Sequence, residues 1–326
     1  MKKSKVLTII LCSAFSLILI AVMAVGIATN GFGGVFSMIE GLDNNSYTQE
    51  YTYSWEVKTD DDFDGLDISW INGPVEIKLG DGDKIEIKEY ATRELKDDEK
   101  LKLSSSRDVL VINWNKSIVS FSLFNNLNKK LVVTVPKQFA NGLDIIKCSN
   151  TSGMTTCSGF NSDNADFSSV SGKINVSDIT AKEFKISGTS GTVNLSNITC
   201  DKFSGSSVSG YMELDNLVAE NADISTTSGA ISIQGKIKGI EASSISGRIE
   251  ANMSECPQKV DFSSVSGNQK LTIPQNDGFT AEHSSISGKF SSEFPITENN
   301  GKSIYSGGEA KFSFSTTSGS MTILKS

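Results

Sequence analysis

The chain has 326 residues, with 30 Lys and Arg against 38 Asp and Glu for a net charge of −8. Three of the lysines, Lys2, Lys3 and Lys5, precede an apolar stretch; without them the balance is 27 against 38, which argues against nucleic acid or an anionic membrane surface as a partner. Only five cysteines occur, Cys12 inside the apolar stretch, so a disulfide framework is excluded as the device that holds this fold.

Residues 6–28 carry no charge. As a helix they span roughly 34 Å, the thickness of a bilayer core, and predict a single N-terminal transmembrane helix. The run is long for a signal peptide, although Gly26-Ile27-Ala28 leaves cleavage open. Cys12 lacks the small residue expected before a lipidated cysteine and reads as part of the membrane segment. The basic residues 1–5 stay cytoplasmic under the positive-inside rule, which places everything after Thr29 on the extracytoplasmic side. Residues 29–52 form a Gly- and Asn-rich spacer, and a β-solenoid ectodomain is predicted over 53–326.

Within the ectodomain, 51–57, 65–79, 84–90, 101–103, 109–114 and 131–135 alternate apolar and polar residues and read as strands of irregular first coils, 53–146. Asp60-Asp61-Asp62-Phe63-Asp64-Gly65 has the Asp-x-Asp-x-Asp-Gly start of a calcium loop. Ile71 stands at the twelfth position, where the bidentate Glu belongs, so an acidic surface turn is the reading. Asn72-Gly73-Pro74-Val75-Glu76-Ile77 imitates the motif that dominates the rest of the chain.

That motif is a Ser-Gly pair ending at Gly153, Gly172, Gly191, Gly210, Gly229, Gly247, Gly267, Gly288 and Gly319, with separations of 19, 19, 19, 19, 18, 20, 21 and 31. A second Ser precedes each pair by three positions, from Ser149 through Ser168, Ser187, Ser206, Ser225, Ser243, Ser263 and Ser284 to Ser315. Nineteen residues hold two or three short strands and their turns, too few for a strand-helix unit, so residues 147–326 predict regular coils of a single-stranded parallel β-helix. Parallel coils stack about 4.8 Å apart and bring equivalent residues into columns. The glycine supplies a positive φ or a corner without Cβ. Asp178, Asn197 and Asn216 share one column and form either a hydrogen-bonded ladder or a turn that tolerates Asn. The column Val170, Thr189, Val208, Thr227, Ile245, Val265, Ile286, Thr317 faces outward under strict alternation and inward if a bulge sits beside the glycine; both arrangements stay open. The extra residues between Gly288 and Gly319, with Asn299-Asn300-Gly301 and Gly307-Gly308, predict a protruding loop.

Ser171-Gly172-Lys173-Ile174-Asn175-Val176, Ser228-Gly229-Ala230-Ile231-Ser232-Ile233 and the strand Leu131-Val132-Val133-Thr134-Val135-Pro136 together resemble the bacterial putative-adhesin family of β-strand-repeat domains of unknown function. The resemblance covers roughly residues 53–326, implies a β-helical fold attached to the cell envelope, and carries no catalytic residues over.

Chemistry is sparse. The single histidine, His283, shares a column with Phe167, Ile186, Ile224, Phe262 and Phe314 and reads as a coil-filling side chain with no base or ligand partner. No serine lies in a Gly-x-Ser-x-Gly elbow. Cys148 and Cys157 fall at inward positions of one coil, and Cys200 and Cys256 lie three coils apart, about 14 Å and beyond disulfide reach. One outward column reads Asp166, Lys185, Ser204, Asp223, Glu241, Asp261, Glu282; stacking places Asp223, Glu241 and Asp261 about 5 Å apart, the spacing of a retaining glycosidase pair, although a solvated face has the same pattern. No catalytic, cofactor or metal residues are assigned. The expectation is a non-enzymatic membrane-anchored solenoid that binds cell-wall polymer or a surface protein, with a scaffolding partner of membrane proteins and a polysaccharide-active β-helix as the other two readings.

Overall fold

In the computed structural model, residues 47–57, 63–114 and 127–326 are described. The predicted membrane segment and Asp60, Asp61 and Asp62 of the acidic turn lie outside them. Among the described residues no helix is long and apolar enough to cross a membrane.

Strands account for nearly everything else. The N-terminal part contains β1 (Gln49–Glu56), β2 (Gly65–Asn72), β3 (Val75–Gly80), β4 (Lys84–Ala91), β5 (Lys102–Ser106), β6 (Val109–Asn113) and β7 (Lys129–Pro136). After them come β8 (Leu143–Ser152), β9 (Thr155–Ser158), β10 (Asn161–Ser171) and the long extended segment β11 (Ile174–Ser246), which winds through several coils. The C-terminal part adds β12 (Ile249–Met253), β13 (Lys259–Ser266), β14 (Gln269–Ile273), β15 (Gly278–Ser287), β16 (Phe290–Ser292), β17 (Thr297–Asn299), β18 (Lys302–Ser306), β19 (Ala310–Ser318) and β20 (Met321–Lys325).

Pairing in the middle of the chain is parallel and follows the repeat. Ala165 of β10 lies between Ile146 of β8 and Phe184 of β11, one period away on each side. Each coil has one strand before its Ser-Gly corner and one after it, as β8 and β9 show on either side of Gly153. Inward residues form columns of buried side chains: the rings of Phe167 and Phe184 lie 5.9 Å apart, and those of Phe184 and Phe203 stack at 5.7 Å. The apolar core runs continuously from Phe63 to Ile323.

Two corners explain the residues that interrupt this alternation. At the Ser-Gly corner the glycines stack on one another so closely that a Cβ on Gly210 would lie 2.0 Å from the Gly191 carbonyl oxygen, and one on Gly229 would lie 1.9 Å from that of Gly210. Close approach is therefore the general requirement, and a positive φ adds to it at Gly191 (+129°). At the second corner Asp178, Asn197 and Asn216 each have φ 55°. Asn197 donates to Asp178 Oδ1 and Asn216 to Asn197 Oδ1, both at 2.9 Å. Left-handed backbone selects Asn and Asp, and the period then aligns them into a ladder, so both readings of that column hold together. Hydrogen bonding from Asn197 holds the Asp178 carboxyl below the usual carboxylate range.

The ends depart from a simple coil stack, and two expectations are corrected. First, residues 53–146 are not only early coils. The coil made by β2 and β3 packs on β8 and β9, and β6 and β7 form the next coil outward. Beyond these the pairing turns antiparallel: β5 covers β6, β4 covers β7, and β1 covers β4. Second, residues 297–306 are not a protruding loop. They form the antiparallel β17–β18 hairpin, turned at Asn300 and Gly301 (φ 48° and 73°), and β18 covers β15. The coils also leave sequence order here, because β19 pairs with β13 on one side and β15 on the other.

The N-terminal end has its own core. Lys129 and Glu89 form an ion pair of 2.7 Å with both side chains wholly buried. Glu89 also accepts hydrogen bonds from the Tyr53 hydroxyl and the Leu101 amide, each at 3.1 Å. Lys129 Nζ donates to the Glu99 carbonyl at 2.7 Å and lies 3.9 Å from the Trp114 ring centroid and 5.0 Å from that of Trp70. A charge this deep is tolerated only because its donors and the Glu89 oxygens are engaged. Nearby, Arg93 and Glu99 pair at 2.7 Å, and that guanidinium holds the Glu99 carboxyl at about 2.

Candidate ligand-binding groove

Residues that follow the Ser-Gly corner alternate inward and outward, and stacking turns the outward ones into parallel polar rows. Thr156 pairs in register with Glu76 on one side and Asn175 on the other. Asn194 continues that row by donating to Asn175 Oδ1 at 3.0 Å, and Glu213 follows it one period later. Two residues along each coil, Ser158, Ser177, Ser196 and Asp215 make a second row. Between them these rows line a shallow groove of about 730 Å³ that spans five coils, or about 19 Å. Ile77, Cys157, Val176 and Leu195 form its floor.

The middle of the groove is neutral and rich in amides and hydroxyls, whereas its ends are charged. At one end Glu76 is held by Lys78 at 2.7 Å and Lys130 at 3.2 Å, and the hydrogen bond from Lys78 lowers the Glu76 carboxyl from its usual range. Glu213 and Asp215 close the other end. The amide row is incompletely paired: Asn194 Oδ1 is buried without a hydrogen-bond partner, and Asn175 Nδ2, in an exposed contact, reaches only the Met154 sulfur, a weak acceptor, at 3.5 Å. Such an arrangement can donate to and accept from an extended polar chain at regular intervals.

The acidic column singled out in the sequence is real but longer and differently ordered. Asp67 and Lys147 precede Asp166 and Lys185 in register, with Lys147 paired to Asp67 at 3.3 Å. Glu241 and Asp261 are direct neighbours, whereas Ser313 separates Asp261 from Glu282, which correctly belongs one coil further out. Burial pushes the Asp223 carboxyl up, opposed by Lys202. The hollow that Asp223 and Glu241 share with Lys202 and Lys259 measures about 130 Å³. Small-molecule sites usually run roughly 300–1,000 Å³, a range the groove reaches and this hollow does not.

His283 occupies its predicted column, facing Phe314 across the strands, and its ring stacks on Phe290 at 4.2 Å. Contrary to the expectation that it has no partner, its Nε2 lies 3.3 Å from the Ser303 hydroxyl, which donates to Glu298 across the hairpin that the sequence pattern did not place there. Ser303 is fully buried, so these three groups bind the hairpin to the terminal coil and present no accessible nucleophile. The four described cysteines carry free thiols. Burial pushes Cys148 and Cys200 up to about 12 and Cys256 to about 11, and raises Cys157 well above the usual thiol value, so the thiols stay protonated and inert. Among the described residues no three His, Cys, Asp or Glu side chains are placed to hold a metal ion. In the column before the glycines Thr189 is buried, whereas the apolar members become more exposed toward the C-terminal end, from 39 % at Ile245 to 86 % at Ile286.

Parallel coils, corner glycines and polar rows define an all-β, solenoid-like repeat domain with an open, unclosed sheet. The chain belongs to the Toastrack DUF4097 family, whose model matches residues 63–324. No curated protein matches it. Among solved structures it is similar to a putative adhesin from Bacteroides fragilis, at 16 % identity over 86 % of this chain and 99 % of that one, with a TM-score of 0.48. It is also similar to a putative lipid binding protein from Parabacteroides distasonis (16 % identity, 68 % and 94 % covered, TM-score 0.43) and a putative adhesin from Parabacteroides merdae (16 %, 68 % and 95 %, 0.38).

Proposed function

We propose that this protein is a non-enzymatic binding module of the bacterial surface that holds an extended, hydroxyl- or amide-rich polymer of the cell wall along the groove. The observation that carries this reading is the repetition of Thr156, Asn175 and Asn194 beside Ser158, Ser177 and Ser196, one set per coil over three adjacent coils, a span of about 10 Å. Equivalent weak contacts at a fixed interval suit a polymer with its own repeat, and affinity then comes from their number. Residues 6–28 would anchor the module in the membrane, with the basic end in the cytoplasm and the groove outside.

The test is retention on cell-wall and capsular polysaccharides, with soluble fragments measured in parallel. Asn175→Ala and Asn194→Ala together should reduce retention well beyond either alone, and no fragments should appear. Retention that ignores the pair would remove the groove from the account. Fragments that disappear in Asp223→Asn, Glu241→Gln or Asp261→Asn would replace binding with hydrolysis or elimination at the acidic column. Protease added to wall-stripped cells should release the solenoid; protection would reverse the orientation.

A further inference from the structure

The C-terminal end contains a coil that is out of order. Counting by chain, the coil of Gly288 should stack on the coil of Gly267. Instead β19 and β20, the last strands, lie between them: β19 separates β13 from β15, and β20 separates β14 from β16. The inserted coil has only these two sides. Residues 274–277 connect β14 to β15 and so pass the level of the inserted coil, which fills the slot between the coils of Gly267 and Gly288.

The walls of this slot match each other. Opposite Phe314 stand Phe262 and His283, opposite Ser315 stand Ser263 and Ser284, and opposite Ser318 stand Ser266 and Ser287. On the other face Met321 lies between Gln269 and Phe290, and Ile323 between Leu271 and Ser292. Every pair of wall residues is 21 apart, which is the Gly267–Gly288 spacing. Both walls therefore present one register to whatever strand lies between them.

That register is demanding. A Cβ on Gly319 would lie 2.2 Å from the Gly267 carbonyl oxygen, and one on Gly288 would lie 2.0 Å from that of Gly319, so the occupant needs a glycine at its corner. It needs apolar residues where Phe312, Phe314, Met321 and Ile323 are buried. It must also place backbone groups to bond Asn268, whose Oδ1 accepts from the Ser320 amide at 3.0 Å, and Gln269, which donates to the Ser315 carbonyl at 2.7 Å. Residues 310–325 of this chain meet all three conditions. The link between this segment and β18 is Gly307-Gly308-Glu309, with φ 72° at Gly308, a short glycine joint that can redirect the strand pair.

We propose that residues 310–325 are an exchangeable strand pair, and that the slot between β13 and β15 is an interface that accepts the same segment from a second copy of the chain. Exchange between copies restores every contact made within one copy, so its equilibrium depends on concentration and on the Gly307-Gly308 joint instead of on new chemistry. The inference does not rest on the groove or its ligand.

The experiment uses two populations of the full-length protein, one carrying Ser263→Cys and the other Ser315→Cys. These positions are register partners on neighbouring parallel strands, within disulfide reach. A single chain carrying both substitutions should close an intramolecular disulfide, which verifies folding and geometry. When the two populations are mixed, warmed and oxidised, a covalent dimer should appear that neither population forms alone, and its yield should rise with concentration. A chain already closed by the intramolecular disulfide should not exchange. No dimer from the mixture while the double variant closes, or equal dimer from each variant by itself, overturns the proposal.

Discussion

The middle coils and the N-terminal end are built on opposite principles. From Leu143 to Met253 the structure repeats one solution, with glycine on glycine, Asn on Asn and ring on ring, and each contact is modest and made many times. At the N-terminal end, beyond the two parallel coils of β2–β3 and β6–β7, the repetition stops. One wholly buried ion pair, Lys129 with Glu89, is fixed by two tryptophans, a tyrosine and two backbone groups. Repetition spreads stability so that a local defect reaches mainly its neighbours, whereas the capping core concentrates it in a few groups. The reason is position: a middle coil is covered above and below by copies of itself, but an end coil must be closed by something different, here antiparallel strands that leave no continuation of the parallel ladder.

The sharpest way to break that contrast is to remove one partner of the buried pair. Lys129→Met should cost about 3–5 kcal/mol in chemical denaturation, because Glu89 is then a buried charge without its cation. Removing both charges in Lys129→Met with Glu89→Leu should restore much of the loss. Equal losses in the single and double variants would mean that packing against Trp70 and Trp114, and not charge, dominates the end.

In the middle, the corresponding break is steric. Gly191→Val places a Cβ about where the Gly172 carbonyl oxygen already lies, 2.0 Å away, and does so at φ +129°, so a loss of about 1–3 kcal/mol is expected. Thr192→Val, in the adjoining half-buried position, should change little. Limited proteolysis should open the Gly191 variant near the affected coils first, and matching melting temperatures for the two variants would contradict the stacked corner.

A smaller effect separates the two roles of the Asn ladder. Asn197→Ala keeps the left-handed backbone without the side chain that favours it and should cost about 1–2 kcal/mol. Asn197→Gly removes the hydrogen bonds but fits the backbone, so its loss should be smaller. Reversal of that order would make the ladder, and not the backbone, the reason for asparagine.

The last effect is with pH and belongs to the capping end. The Glu99 carboxyl titrates at about 2 in the folded chain against an ordinary 4.5, lowered by Arg93. Its stabilising contribution is therefore complete above about 4.5 and is lost as pH falls toward 2. Glu99→Gln should remove that component, so parent and variant should converge in melting temperature as pH is lowered through this window.

Much of the middle was legible because its period is written in the residues: the Ser-Gly spacing set the coil, and the Asn column announced its corner. The groove was half legible. Asn175 and Asn194 stand one period apart, which is a usable signal, but whether their side chains lie over a hollow depends on how the coils curve. Lys129 and Glu89 carry no signal in the chain, since 40 residues separate them and each resembles any surface charge.

What the sequence by itself determined is the repeating unit: alternation chose strands, the 19-residue period chose parallel stacking, and the glycines marked the corners, because these depend on each coil meeting a copy of itself. What only the tertiary structure decided is how the repetition stops. The antiparallel caps, the buried ion pair and the insertion of β19 and β20 ahead of their turn depend on which strand reaches an open edge, and the last coils share one register so closely that local pattern fits either order. Competition among equivalent edges is settled by the whole fold, since no single segment records which neighbour it will meet.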